Sequence, residues 1–211
     1  MRRYQHRHTS RLTGHLFPKF LSRQAMRYFA ITPATLSPTR LISHLQALQK
    51  KTAAYLYLRA QPLYTELDQL IAIIRQHEIM PIIPRGLYQD RFTSNCGTHT
   101  RSDEQFNALL SPAPAVQTAS CHSAPEACTL FDKGADYVFI SPVYRPASKP
   151  DDRRPLLFAD TLRMLARRYG QRIVLLGGMT PRRIEYLRTT LQADFSVAGI
   201  SMFFTEGTTD E

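Results

Sequence analysis

Residues 134–149 read GADYVFISPVYRPASK, and this stretch decides the fold. Tyr137, Val138, Phe139 and Ile140 form a continuous apolar run with no polar alternation. A strand covered on one face alternates; a strand buried on both faces, as in a parallel sheet, does not. Ser141, Pro142, Tyr144, Ser148 and Lys149 follow at once, a loop of hydroxyls and a cation at the strand's C-terminal end. In parallel α/β proteins ligands bind at that end.

The same alternation of apolar run and helical pattern extends in both directions. Strands are predicted over residues 28–31, 53–58, 80–83, 96–100, 115–119, 136–140, 172–176 and 194–198. Helices are predicted after Ser37-Pro38, after Pro62, over 102–110, 123–133 and 156–168, and after Thr180-Pro181. Ser37, Ser102 and Thr180 act as their caps, and Pro38 sits in a first turn. Leu41, Leu45 and Leu48 recur at helical spacing, as do Ile184, Leu187 and Leu191. About eight strands, most of them followed by a helical segment, predict a parallel sheet. Eight such units in residues 26–211 predict one compact (β/α)8 barrel with a truncated eighth helix. Gly177-Gly178 after the seventh strand, and Gly199, Ile200 and Ser201 after the eighth, suit phosphate binding by backbone N–H groups. Only Thr205 to Glu211 follow Phe203-Phe204, so an uncovered apolar patch is expected outside the last strand. Residues 1–25 or a second subunit, as in a homodimer, would cover it.

Residues 1–25 carry six basic side chains, Arg2, Arg3, Arg7, Arg11, Lys19 and Arg23, and no acid. They predict a flexible or weakly helical extension, resembling an organellar targeting peptide in composition, with Met26 an alternative start. The whole chain carries a net charge of +10, from 27 basic and 17 acidic residues among 211, and its first acidic residue is Glu66. A basic face attracts anions. No zinc-finger, helix-turn-helix or aromatic RNA-binding signature accompanies it, which points to phosphorylated small molecules rather than nucleic acid. No apolar run approaches the ~18 residues of a membrane span. Cys96, Cys121 and Cys128 are too scattered for a disulfide framework, so a cytoplasmic setting is expected.

The segments S120-C-H-S123, 136–144 (DYVFISPVY), Ser148-Lys149, 175–181 (LLGGMTP) and Leu58-Arg59 together resemble the thiamine phosphate synthase/TenI family, over about residues 26–204. They are similar to a short TenI-like branch of it. The resemblance implies a (β/α)8 barrel and a role in thiamine synthesis. The family's synthases join hydroxymethylpyrimidine diphosphate to thiazole phosphate and release diphosphate with Mg²⁺. It implies that Arg59, Ser120 and Lys149 hold diphosphate. Ser148 would face the thiazole phosphate, with Gly177, Gly178, Gly199, Ile200 and Ser201 around it. For the family's tautomerases, which aromatise a thiazole carboxylate phosphate by moving a proton, His122 matches the acid–base histidine. A third expectation is a member that binds a phosphorylated thiazole or thiamine compound without turnover.

The departures are specific. Gln61 stands where the synthases carry lysine, Pro84-Arg85 replaces the Asn-Asp pair that helps bind magnesium, and Tyr144-Arg145-Pro146 replaces Phe-Pro-Thr. Asp103 is the match for the remaining magnesium aspartate.

Overall fold

The computed structural model describes residues 26–89, 91–92, 95–107, 109–146 and 151–204. Eight parallel strands close into a barrel in chain order. They are β1 (Tyr28–Ile31), β2 (Ala53–Tyr57), β3 (Met80–Pro84), β4 (Gly97–Thr100), β5 (Gln117–Cys121), β6 (Tyr137–Ile140), β7 (Ile173–Leu175) and β8 (Ser196–Gly199). β8 returns to β1, with Tyr28 opposite Val197 and Ala30 opposite Gly199. All four residues of β6 are buried, as its unbroken apolar run requires.

Side chains alternate between the barrel interior and the helix-covered outside. Phe29, Tyr57, Ile82, Tyr137, Phe139, Val174 and Ala198 fill the interior. Phe29 stacks on Tyr55 at 4.3 Å between ring centroids and meets Phe139 edge-on at 5.1 Å. This aromatic plug closes the N-terminal half of the barrel and leaves the chemistry to the other end.

Five α-helices lie outside among the described residues: α1 (Pro38–Lys50), α2 (Leu67–Gln76), α3 (Ala124–Asp132), α4 (Ala159–Tyr169) and α5 (Pro181–Leu191). Three begin as their sequences dictate. Ser37 Oγ accepts the Arg40 N–H at 3.3 Å, Ser123 Oγ that of Glu126 at 3.4 Å, and Thr180 Oγ1 that of Arg183 at 3.3 Å. The Ser123 hydroxyl also donates to Glu126 Oε1, while Oε2 accepts the N–H of His122 at 2.9 Å. This reciprocal cap fixes the backbone at the C-terminal end of β5.

Three expectations are corrected. No helix forms over 102–107 or at 109–110. Glu104 instead takes the N–H of Arg101 at 3.0 Å, Arg85 holds the carbonyl of Gln105 at 2.8 Å, and Phe106 is buried. These local bonds compete with helical ones and win. Residues 61–66 form a 3-10 turn, so α2 starts at Leu67. The outside of β8 is closed without a full helix: Val197 is fully buried. The N–H groups of Phe203 and Phe204 both donate to the carbonyl of Ile200, at 3.0 and 2.9 Å. That turn sets Phe203 edge-on to Tyr28 at 6.4 Å, and Phe204 against His44. Met202 bridges the two outer cores. Residues 1–25 and 205–211 lie outside the described residues, as do Ser148 and Lys149.

Candidate active site

The C-terminal rim of the barrel carries the polar side chains. Just inside it, His99 of β4 is 3% exposed, between Tyr57 at 4.5 Å and Phe139 at 5.1 Å. Its Nδ1 lies 2.7 Å from Thr118 Oγ1, and its Nε2 lies 2.8 Å from Ser120 Oγ. Burial pulls its pKa from 6.5 down to about 3, and the Arg101 cation adds to the effect. The ring is therefore neutral at physiological pH.

His122 follows Ser120 by two residues, so it takes the same side of β5 one step nearer solvent. Its Nδ1 lies 2.8 Å from the carbonyl oxygen of Ser141 at the end of β6. A carbonyl only accepts, so Nδ1 carries a hydrogen toward it, and in the neutral ring Nε2 then keeps its lone pair. Nε2 lies 3.1 Å from Ser102 Oγ, and the Arg154 Nη1 packs against the ring within 2.9 Å of both nitrogens.

Arg154 is held in turn by Asp152. Its Nε lies 2.9 and 3.2 Å from the two carboxylate oxygens, and its backbone N–H bonds Oδ1 at 3.1 Å. These bonds hold the Asp152 carboxyl far below the usual carboxylate range. Only 7% of its side chain is exposed. Arg145 donates to the Asp152 carbonyl. The β6–α4 loop thus carries a pre-organised guanidinium onto the β5 histidine.

The same loop rests on the glycine pair. Gly177 and Gly178 have φ of +108° and +57°, and a Cβ on Gly178 would stand 2.6 Å from the Arg145 carbonyl oxygen. Val143 N–H donates to Leu176 O at 2.9 Å, and Tyr144 N–H to Gly177 O at 3.1 Å. Arg183 reaches Gly178 O and lies 4.7 Å over the Tyr144 ring. The glycines are needed for this close approach whatever ligand they meet. Arg59 stands two residues beyond β2, half-buried; its N–H donates to Thr32 Oγ1 at 2.8 Å and its carbonyl accepts from Tyr64. Gly199 ends β8 and Ile200 and Ser201 follow it on the same rim, with Ser201 exposed and Gly199 against Met202.

Ser120 and His122 thus come together with the glycine pair along one arc, from β4 to β7, and Arg59 and residues 199–201 occupy the rest of the rim. Asp103 stands apart: it is exposed and ion-paired to Arg101 at 3.1 Å. The neighbouring carboxylate, Glu104, is spent on a backbone N–H. Among the described residues no three His, Cys, Asp or Glu side chains cluster as a metal site. Asp103 offers one carboxylate, and it faces the Arg101 guanidinium rather than a second acidic oxygen, so a magnesium ion held there would draw its other oxygens from substrate phosphate and water. Sequence reasoning placed Ser141 in the ligand-side loop and Ser102 only as a helix cap, and it missed Asp152 and Arg154. The run Asp151-Asp152-Arg153-Arg154 after the sixth strand was the available signal.

A family model described as thiamine monophosphate synthase matches residues 28–203. Among solved structures, thiamine phosphate pyrophosphorylase from Pyrococcus furiosus is similar with a TM-score of 0.63 and 18% identity, over 86% of this chain and 89% of that one. An HpcH/HpaI aldolase from Desulfitobacterium hafniense gives 0.54 at 7% identity, over 84% and 88%. At these identities the structural likeness establishes the barrel fold alone. No curated protein matches the sequence significantly. Among the described residues no helix is long and apolar enough to cross a membrane.

Proposed function

The chain belongs to the thiamine monophosphate synthase family, which ties it to thiamine biosynthesis, and on that premise we propose that it moves a proton within a phosphorylated thiazole carboxylate. The observation that carries this reading is His122, with Nδ1–H committed to Ser141 O and the Nε2 lone pair at the rim. Nε2 takes a proton from the ring carbon, and the resulting imidazolium returns it at the other end of the conjugated system. Composition is unchanged, and a positioned imidazole suits both halves. Arg154, fixed by Asp152, pairs with the substrate carboxylate beside that nitrogen. The glycine loop and residues 199–201 take the phosphate.

Coupling of pyrimidine diphosphate to thiazole phosphate is the second reading. It is favoured by the arginines on the rim, Arg59, Arg101, Arg145 and Arg154, whose charge can stabilise departing diphosphate. One experiment separates the two. Purified protein is given the thiazole carboxylate phosphate alone, or both phosphorylated halves with Mg²⁺, and products are followed by NMR. Aromatised thiazole in the first tube is expected. Thiamine phosphate in the second without isomerisation in the first would replace the proton-transfer reading with coupling. Binding without product in either would leave only a ligand-binding role.

A further inference from the structure

Ser120 was matched above to a diphosphate-holding serine, a role that requires its hydroxyl to donate. The hydrogen bonds beneath it run the other way. Thr118 Oγ1 lies 3.0 Å from the carbonyl oxygen of Thr98. Two oxygens at that distance repel unless a hydrogen lies between them, and the carbonyl has none, so the threonine hydroxyl spends its hydrogen there. Thr118 Oγ1 can then only accept from His99 Nδ1, 2.7 Å away. A neutral imidazole carries one hydrogen, so Nε2 is a bare lone pair, and at 2.8 Å it must accept from the Ser120 hydroxyl. Burial, which keeps this ring neutral, locks the sequence of donors and acceptors.

We infer that His99 is a positioning residue that fixes the polarity of Ser120, so that Ser120 presents only lone pairs to the site and recognises a hydrogen-bond donor on the ligand rather than a phosphate oxygen. The rest follows from where Ser120 stands. It lines a cleft of about 320 Å³ between the chain after β4, with Arg101, Ser102 and Glu104, and helix α3, with Pro125 and Thr129. Phosphate belongs at the glycine end; the substrate group that meets the Ser120 hydroxyl itself is an N–H or O–H. In its substrate class this rests on the proton-transfer reading, whereas the direction of the bonds does not.

Two measurements test it. Long-range proton–nitrogen NMR of the histidine rings should show His99 protonated at Nδ1 and bare at Nε2, unchanged across the neutral pH range. A protonated Nε2 would overturn the inference. Calorimetry with inorganic diphosphate should give the same affinity for wild type and Ser120→Ala within about twofold, because a hydroxyl whose hydrogen is committed adds little to anion binding. A loss of tenfold or more would return Ser120 to the anion site and sink the idea. Thr118→Val removes the acceptor for Nδ1–H. It should move the His99 hydrogen to Nε2, turn Ser120 into a donor and tighten diphosphate binding; an unchanged tautomer would count against the relay. If that variant does not fold, the wild-type spectrum and Ser120→Ala still decide. Should the thiazole assay fail while the Nδ1–H signature stands, the reaction assigned above is wrong and the polarity of Ser120 is not.

Discussion

Arg101 Nη2 lies 3.1 Å from Oδ2 of Asp103, so the carboxylate matched to a magnesium ligand is engaged by a cation. Both side chains are more than half exposed, and such pairs contribute ~0–1 kcal/mol. Asp103→Asn should therefore leave turnover within about twofold and the urea midpoint nearly unchanged. A tenfold drop in Mg²⁺-dependent turnover would mean that Asp103 leaves Arg101 to hold metal in the working enzyme.

For His122, replacement by Ala should reduce proton transfer by roughly 10²–10⁴-fold, the usual contribution of a positioned acid–base group. Inorganic phosphate binding should survive, because the glycine loop lies on the far side of the β6 loop. Equal loss of both in calorimetry and turnover assays would make His122 a structural residue.

Gly178 and Gly86 make a controlled pair. At Gly178 an alanine meets both φ of +57° and the Arg145 carbonyl oxygen at 2.6 Å. The conformational term alone is ~1–2 kcal/mol, and the contact would push the β6 loop outward. Gly178→Ala should lower Tm by several degrees and weaken phosphate binding. Gly86 has nothing within 4 Å of the added Cβ and no positive φ. Gly86→Ala should be neutral, or stabilising by up to ~1 kcal/mol through the unfolded chain. Equal Tm values for the two variants would argue against the packing described.

The depressed pKa of His99 has a signed consequence. Folded, it titrates at about 3; unfolded, at about 6.5. Between those values the unfolded chain binds the extra proton, so stability is full above pH 6.5 and is lost as pH falls toward 3. Over the first two pH steps below 6.5 the loss should approach ~2 kcal/mol. Urea unfolding at a series of pH values should show this slope in wild type and a flatter one in a folded His99→Gln variant.

How much of this was legible before the structure depends on whether the determinants are local. Strand β6 and the caps at Ser37 and Thr180 are local, and sequence located them. The helix expected over 102–110 failed because propensity competes there with Glu104 and Arg85, whose partners are three and twenty positions away. Arg154 reaches His122 across 32 positions, from a stretch with no periodic pattern, and no spacing rule anticipates that. His99 is half-legible: a histidine in a strand of small polar residues is visible, but its direction of donation needs Thr98 and Thr118 in space.

The uneven cladding of the barrel also bears on how it breathes. Among the described residues β5, β6 and β7 are each followed by an α-helix, whereas β3 and β4 are followed by a short turn and irregular chain. Fewer packed layers must part to expose the backbone of β3 and β4, so their amides should exchange with solvent through local opening. Those of β6 should exchange only when the whole barrel comes apart. Of the two walls of the candidate site, His122 then stands on the slow one and the Arg101 side on the fast one, so access for a ligand is governed by the half that moves.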